Sequence, residues 1–141
     1  MDKIVTQTVE QTKELGKELA KTLKKGDIIC LYGNLGSGKT SFAQGLAEGL
    51  GIERRIISPT FIIIRSYKTK NVKFYHIDLY RTSTKNDLIS LGIDQLLKSS
   101  DAILTIEWAE KLNKFLPKKR IDLHFKQTDD NSREITKNKY D

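Results

Sequence analysis

Residues 33–40 carry the pattern G-x-x-x-x-G-K-T, which is typical of loops that bind nucleotide phosphates. Glycines let the main chain turn so that its N–H groups converge on phosphate oxygens. Lys39 supplies positive charge for the β- and γ-phosphates, and the Thr40 hydroxyl is a ligand of the kind Mg²⁺ accepts. The predicted phosphate and metal contacts are Gly33, Gly36, Ser37, Gly38, Lys39, Thr40 and Ser41.

The residues on either side predict the strand and the helix that such a loop requires. Residues 27–32 are a short apolar run typical of a buried parallel strand. Residues 40–50 place apolar side chains at helical spacing, and Gly49 and Gly51 predict the end of that helix. Its N-terminus would direct a partial positive charge at the phosphates. The context therefore favours nucleotide binding over a glycine turn between unrelated elements.

Hydrolysis additionally needs a carboxylate near a metal ion and a group that orients water. Glu107 directly follows an apolar run, residues 102–106, and ligands of parallel sheets bind beyond the carboxyl ends of the strands. We predict that Glu107 binds Mg²⁺ together with Thr40. The alternative is an exposed glutamate at the end of a strand. Trp108 beside it is interpreted as packing.

A second acid, Asp78, ends another β-rich run. Alternation places His76 and Asp78 on one face of that strand, which is typical of a strand lining a cleft. Asp78 is predicted to support the metal or to orient water, which makes Lys39, Asp78 and Glu107 the predicted catalytic set. A lone histidine more often has a structural role, so we predict that role for His76, with a functional role as the alternative.

The segment Ser58-Pro59-Thr60-Phe61 follows the loop helix and has two interpretations. Thr60 could offer its hydroxyl to Mg²⁺ or to the γ-phosphate in a loop that moves on hydrolysis. A plain turn into the next strand is the alternative.

The C-terminal residues Asn138-Lys139-Tyr140-Asp141 match a guanine-reading motif. The match stands at the last residue of the sequence, so we interpret it as a chance match. This interpretation favours ATP over GTP as the nucleotide.

The order of predicted strands and helices along the sequence predicts a mixed α/β fold in one domain, residues 1–141. We predict a P-loop NTPase fold whose central sheet is mostly parallel, flanked by helices and antiparallel hairpins. The other predicted strands are residues 3–6, 61–67, 72–79, 121–125 and 133–136, and the other predicted helices are residues 8–25, 86–97 with a break near Gly92, and 110–116.

Composition narrows the functional classes. The single cysteine, Cys30, lies in a predicted buried strand, so disulfides, zinc sites and thiol catalysis are not expected. No apolar run approaches a membrane span and no secretory signal is evident, so we expect a cytosolic protein without a membrane partner. The net charge of +7 is compatible with RNA contact or with a lysine-rich, solvated surface.

Together, the loop, Ser58-Pro59-Thr60-Phe61, residues 76–81 (His-Ile-Asp-Leu-Tyr-Arg) and Glu107-Trp108 resemble the TsaE (YjeE) family in order and spacing. These are small bacterial ATPases of tRNA threonylcarbamoyladenosine biosynthesis. The resemblance covers nearly the whole chain and implies a sheet of about seven strands, with ATP and Mg²⁺ as ligands.

The same resemblance implies weak hydrolysis by the isolated chain and docking on the TsaB–TsaD pair, with tRNA reached through that complex. It matches Thr12 and Arg133 to family residues near the nucleotide. Asn34 departs from the family, which usually has an acid at that position. The alternative enzyme class is a small-metabolite P-loop kinase, although no lid-length insertion is apparent.

Overall fold

The computed structural model describes residues 2–52, 63–82, 84–128 and 131–141. Within these residues, no helix combines the length and the apolar character needed to cross a membrane. The strands are β1 (Asp2–Thr6), β2 (Ile28–Tyr32), β3 (Ile64–Lys68), β4 (Lys73–Asp78), β5 (Ala102–Glu107), β6 (Arg120–Gln127) and β7 (Arg133–Tyr140). The helices are α1 (Val9–Ala20), α2 (Lys39–Gly49), α3 (Lys85–Ser90) and α4 (Ile93–Leu96), with a 3₁₀ helix at Ala109–Phe115.

The seven strands form one mixed sheet in the order β1-β7-β6-β2-β5-β4-β3. The central strands β6, β2, β5 and β4 are parallel to one another, whereas β1/β7, β6/β7 and β3/β4 pair antiparallel. The α/β class and the seven strands are confirmed, but a mostly parallel sheet is not, because half of these pairings are antiparallel. Short connections join β3 to β4 and β6 to β7, and such connections permit only antiparallel neighbours.

Burial explains why the central strands are continuously apolar. Strands β2 and β5 carry helices on both faces, so both sets of alternating side chains are covered. A hydrophobic core lies on each face of the sheet. On one face, α1 and α2 pack over Leu31 and the residues around it. On the other face, Cys30 and Ile106 pack with Leu112 of the 3₁₀ helix and with α3 and α4. Cys30 is a buried free thiol whose pKa is raised to about 12, mainly by burial, which makes it unreactive.

Helix α1 begins as predicted but ends earlier. Thr8 is its N-cap, and the Thr8 hydroxyl accepts a hydrogen bond from the Gln11 N–H at 3.0 Å. After Ala20 the N–H groups bond three residues back instead of four, and the Asp27 carboxylate then accepts the Lys24 N–H at 2.9 Å. The prediction that this helix extends to residue 25 is therefore wrong. A turn at residues 24–27 replaces the helical hydrogen bonds before β2 begins.

The other predicted elements agree with the structure apart from their ends. The break near Gly92 is confirmed, since Gly92 adopts φ +75° between α3 and α4. Glu107 is the last residue of β5 and does not follow it, and β6 and β7 are longer than predicted. The predicted strand from residue 61 is described only from residue 63 onward.

The contact between α1 and α2 depends on glycines that the sequence pattern did not single out. A Cβ atom on Gly45 would lie 1.9 Å from the Lys13 carbonyl oxygen, and one on Gly16 would lie 2.4 Å from the Phe42 carbonyl oxygen. Gly49, predicted as a helix end, lies against Ala20 in the same interface. The two backbones therefore approach more closely than any larger side chain allows.

We expect Gly45→Ala to destabilise the fold. Alanine is favoured over glycine in a helix by about 1 kcal/mol. The clash of its Cβ with the backbone of α1 outweighs that gain, because overpacking costs about 1–3 kcal/mol and backbone yields less readily than a side chain. Chemical denaturation should therefore show a net loss of stability.

Glu14→Ala is the control on the solvent-exposed side of α1, where the side chain is 63% exposed. Its stability should change by no more than about 0.5 kcal/mol. A Gly45→Ala variant as stable as the parent would show that the helices can separate without loss.

Candidate functional site

The loop between β2 and α2 folds in a way that only glycine permits at its first position. Gly33 has φ +145°, and a Cβ there would lie 2.6 Å from the Phe125 carbonyl oxygen and 2.8 Å from Ser37 Oγ. Gly36 and Gly38 also have positive φ. These turns wrap the main chain around a concave surface of the kind that binds anions.

The N-terminus of α2 faces this concave surface with unused donors. Gly38 is the N-cap and, within the described part of the chain, no side chain caps the helix. Ser37 Oγ is buried and has no hydrogen-bond partner there either. First-turn N–H groups and a buried hydroxyl without partners are suited to phosphate oxygens, so these residues fit a bound phosphate group.

Lys39 is buried at the start of α2, with 4% of its surface exposed. Its ammonium group donates a hydrogen bond to the Gly33 carbonyl oxygen and lies 3.9 Å from the centre of the Trp108 ring. Burial lowers the pKa of Lys39, and Glu107 offsets part of that effect. Trp108 packs against the core that contains Cys30 and Ile106, as predicted, and its ring also forms a cation–π contact with Lys39, which was not predicted.

Glu107 connects the loop to the sheet through its two oxygens. Strand β5 lies between β2 and β4, so its last residue reaches both neighbours. Oε1 accepts a hydrogen bond from the Thr40 hydroxyl at 3.4 Å, and Oε2 lies 2.6 Å from His76 Nε2. The long first contact is weak, so a cation can replace it at small cost.

Asp78 lies beside Glu107 in the register of β4 and β5. Its Oδ1 accepts the Tyr80 N–H at 2.9 Å. Burial raises the pKa of Asp78, and the nearby Glu107 raises it further, while the Tyr80 N–H, His76 and Lys39 lower it. The two acids therefore concentrate negative charge at the carboxyl edge of the sheet.

This donor set fits Mg²⁺. Mg²⁺ prefers oxygen ligands and is usually held by one or two carboxylates together with the phosphates of a substrate. Thr40 and Glu107 supply oxygens, and Asp78 adds charge. Across the described ranges, no group of three or more His, Cys, Asp or Glu side chains forms a metal site of its own.

Thr12 and Arg133, distant in sequence, lie beside the loop. With Gly38 and Ser41 they line a cleft of 160 Å³. The pairing of Thr6 with Arg133 in the β1/β7 ladder brings Arg133 there, and the Thr12 hydroxyl lies 2.7 Å from that of Thr6. Two larger clefts, of 590 and 640 Å³, are lined by none of the predicted site residues.

The structure thus brings together the predicted site residues that it describes. Lys39, Thr40, Asp78 and Glu107 meet at the carboxyl edge of the sheet, and Gly33, Gly36, Ser37, Gly38, Ser41, Thr12 and Arg133 form the loop and its adjacent cleft. Thr60 and its segment lie outside the described residues.

Comparisons with known proteins find sequence and structural similarity over most of the chain. Residues 6–135 match the model of the TsaE family, described as threonylcarbamoyl adenosine biosynthesis protein TsaE. The tRNA threonylcarbamoyladenosine biosynthesis protein TsaE of Bacillus subtilis is 42% identical over 113 residues, which cover 80% of this chain and 70% of the relative. Its counterpart in Nostoc is 36% identical over 137 residues, which cover 95% of this chain and 83% of the relative.

A solved structure has the same architecture. The crystal structure of YdiB of Bacillus subtilis superposes with a TM-score of 0.85 at 34% sequence identity. The match covers 99% of this chain and 86% of the YdiB chain. The similarity therefore extends over the whole sheet and is not confined to the loop.

The raised pKa of Asp78 predicts how its replacement affects stability. In Asp78→Asn, the amide oxygen can still accept the Tyr80 N–H, but the buried charge is removed. Because the pKa of Asp78 is higher in the folded state, ionisation at neutral pH opposes folding, and this penalty disappears when the pH falls below the ordinary pKa of aspartate.

We therefore expect Asp78→Asn without nucleotide to melt at a higher temperature than the parent at pH 7, with the difference shrinking towards pH 4. Thermal unfolding by circular dichroism at both pH values measures it. Asp101→Asn is the control, because the Ser99 hydroxyl lowers the pKa of that exposed carboxyl, so the sign of its effect is opposite. A less stable Asp78→Asn at neutral pH would contradict the assigned burial penalty.

Proposed function

The chain belongs to the TsaE family, and from that premise we propose that it binds and hydrolyses ATP with Mg²⁺ in tRNA threonylcarbamoyladenosine biosynthesis. The observation that carries the proposal is the junction of Lys39, Thr40 and Glu107, in which a buried ammonium group and a hydroxyl–carboxylate pair share one edge of the sheet. This arrangement supports a P-loop NTPase fold.

The chain's own residues account for triphosphate binding. The N–H groups of the loop and of the first turn of α2 surround the phosphates, and the Ser37 hydroxyl gains a partner. Lys39 leaves the Gly33 carbonyl and places its charge on the β- and γ-phosphates. The buried surroundings strengthen these contacts, because charges interact more strongly away from water.

Thr40 and Glu107 would hold the metal ion. When bound with the nucleotide, Mg²⁺ neutralises negative charge on the phosphate oxygens during transfer. Asp78 has one oxygen engaged by the Tyr80 N–H, and its Oδ2 orients the attacking water or accepts its proton. The raised pKa of Asp78 favours the proton-accepting role, because catalytic bases work best when their pKa approaches the working pH.

The cleft lined by Thr12, Ser41 and Arg133 continues from the phosphate loop and suits the nucleoside part of ATP. The motif-like residues Asn138-Lys139-Tyr140 lie within strand β7, where their backbone is occupied in the sheet. This supports ATP over GTP, since a guanine-reading motif must present its side chains from a loop.

We further propose that the chain works in the cytoplasm as a partner of TsaB and TsaD homologues, since relatives at this level of identity are named for biosynthesis of a tRNA modification. tRNA would be reached through that complex. Hydrolysis by the isolated chain should be weak, because the water-orienting group identified in the described residues is a single carboxylate with one oxygen already engaged by the Tyr80 N–H.

Lys39→Ala should weaken ATP binding at least tenfold, which corresponds to about 1.4 kcal/mol, because a buried charge-assisted contact to phosphate is lost. Trp108 is the only tryptophan and contacts Lys39, so its fluorescence reports binding in the parent. Calorimetry measures the variant, in which that contact is gone. Lys21→Ala, whose side chain is 69% exposed, is the matched control and should bind as the parent does.

Phosphate release tests the complete proposal. We expect the purified chain to release phosphate from ATP slowly, and faster in the presence of TsaB and TsaD homologues. Glu107→Gln should lower the Mg²⁺-dependent rate by at least the roughly 10- to 100-fold that loss of an outer-shell partner of a metal ligand costs, because here a ligand itself loses its charge. A parent-like rate in Glu107→Gln would remove its assigned role. Transfer of labelled phosphate to a small metabolite would indicate a kinase instead.

A further inference from the structure

His76 is completely buried in β4 and makes a short contact with the carboxylate of Glu107. Its side chain is 0% exposed and that of Glu107 is 4% exposed, and His76 Nε2 lies 2.6 Å from Oε2. A buried polar pair needs a hydrogen bond to offset the loss of water. One of the two groups must therefore carry the shared proton.

The chemistry of metal binding assigns that proton. A carboxylate that serves a cation must be ionised, and an ionised carboxylate only accepts hydrogen bonds. The Nε2 atom of His76 is then the donor. Its other nitrogen, Nδ1, is buried without a hydrogen-bond partner among the described residues. Among those residues, the polar contact of the ring is therefore the one between Nε2 and Glu107.

The two oxygens of Glu107 consequently have separate roles. Oε2 is held by His76, while Oε1 faces the Thr40 hydroxyl at 3.4 Å. Fixing one oxygen fixes the rotation of the whole carboxylate plane. Without His76, both oxygens could turn towards Thr40 or Lys39, and the geometry offered to a cation would be lost.

We propose that His76 is a positioning residue that holds Glu107 in the orientation needed to bind Mg²⁺ with the nucleotide. This inference rests on the proposed function, because it assigns His76 a task in that site. Residues that hydrogen-bond metal ligands typically contribute 10- to 100-fold to metal affinity.

Thr105 provides a matched comparison. It is the register partner of His76 on β5 and is also completely buried, yet its hydroxyl has no hydrogen-bond partner among the described residues. Thr105→Val keeps the shape and removes an unpartnered hydroxyl. Thr105→Val therefore shows how the loss of a buried polar group next to His76 affects Mg²⁺-dependent affinity when the contact between His76 and Glu107 is intact.

The experiment measures ADP affinity by calorimetry with Mg²⁺ and with EDTA in the parent, His76→Leu, His76→Gln and Thr105→Val. We expect His76→Leu to lower the gain in affinity that Mg²⁺ provides by about 10- to 100-fold, while EDTA affinity stays within about twofold. His76→Gln, whose amide N–H₂ can replace Nε2–H, should recover most of the loss. Thr105→Val should match the parent.

Equal losses with Mg²⁺ and with EDTA would show that His76 supports the fold in general, and would overturn the inference. A folded His76→Gln no better than His76→Leu, or a parent-like His76→Leu, would overturn it too. If the parent binds ADP in neither condition, the proposed function fails first and independently.

The protonation of the ring provides a test that does not depend on any variant of His76. The sequence contains two histidines, His76 and His124, so nitrogen NMR spectra of the parent and of His124→Gln assign each ring. We expect a proton on Nε2 of His76. A ring protonated only at Nδ1 cannot donate to Oε2, and finding it would overturn the inference even if His76→Leu failed to fold.

Discussion

Three charged side chains, Lys39, Asp78 and Glu107, lie almost without water at one edge of the sheet. One ammonium group faces two carboxylates, and burial shifts the pKa of Lys39 downward and that of Asp78 upward. Each group is thus held in a state that water would stabilise better. In the proposed function, a triphosphate and a divalent cation would bring the opposite charges and so relieve this imbalance.

The sheet order explains how these charges come together. Strands β4, β5 and β2 are neighbours and run parallel, so their carboxyl ends meet at one edge. Asp78 ends β4, Glu107 ends β5, and the loop after β2 leads to Lys39. The position of Lys39 also depends on the close glycine contact between α2 and α1. That contact brings Thr12 to 3.6 Å from the Cβ position of Gly38, so the packing of the two helices also determines the shape of the cleft beside the loop.

Local signals predicted most of this arrangement. The glycine loop, the apolar strands and the helix of residues 39–49 are encoded over short stretches, and the structure agrees with them. The pairing of β1 with β7 and the contact of Trp108 with Lys39 depend on residues far apart in the sequence, which no single stretch encodes. The early end of α1 was missed because the Asp27 carboxylate caps the following turn while the helical spacing continues. The sequence feature that could have indicated a role for Trp108 in the site was its position directly after Glu107.

The turn at the end of β5 joins Glu107, the proposed metal ligand, to the surroundings of Lys39. Glu107 still has strand geometry and points towards Thr40 and His76, whereas Trp108 turns sharply with φ +59°, a conformation that costs a non-glycine residue about 1 kcal/mol or more. That turn places the indole over Lys39 and against Tyr80, with ring centres 5.1 Å apart. The Tyr80 N–H in turn holds Asp78, and the Tyr80 side chain is 41% exposed. A displacement of this one surface residue would therefore alter the surroundings of Asp78 and Lys39 together.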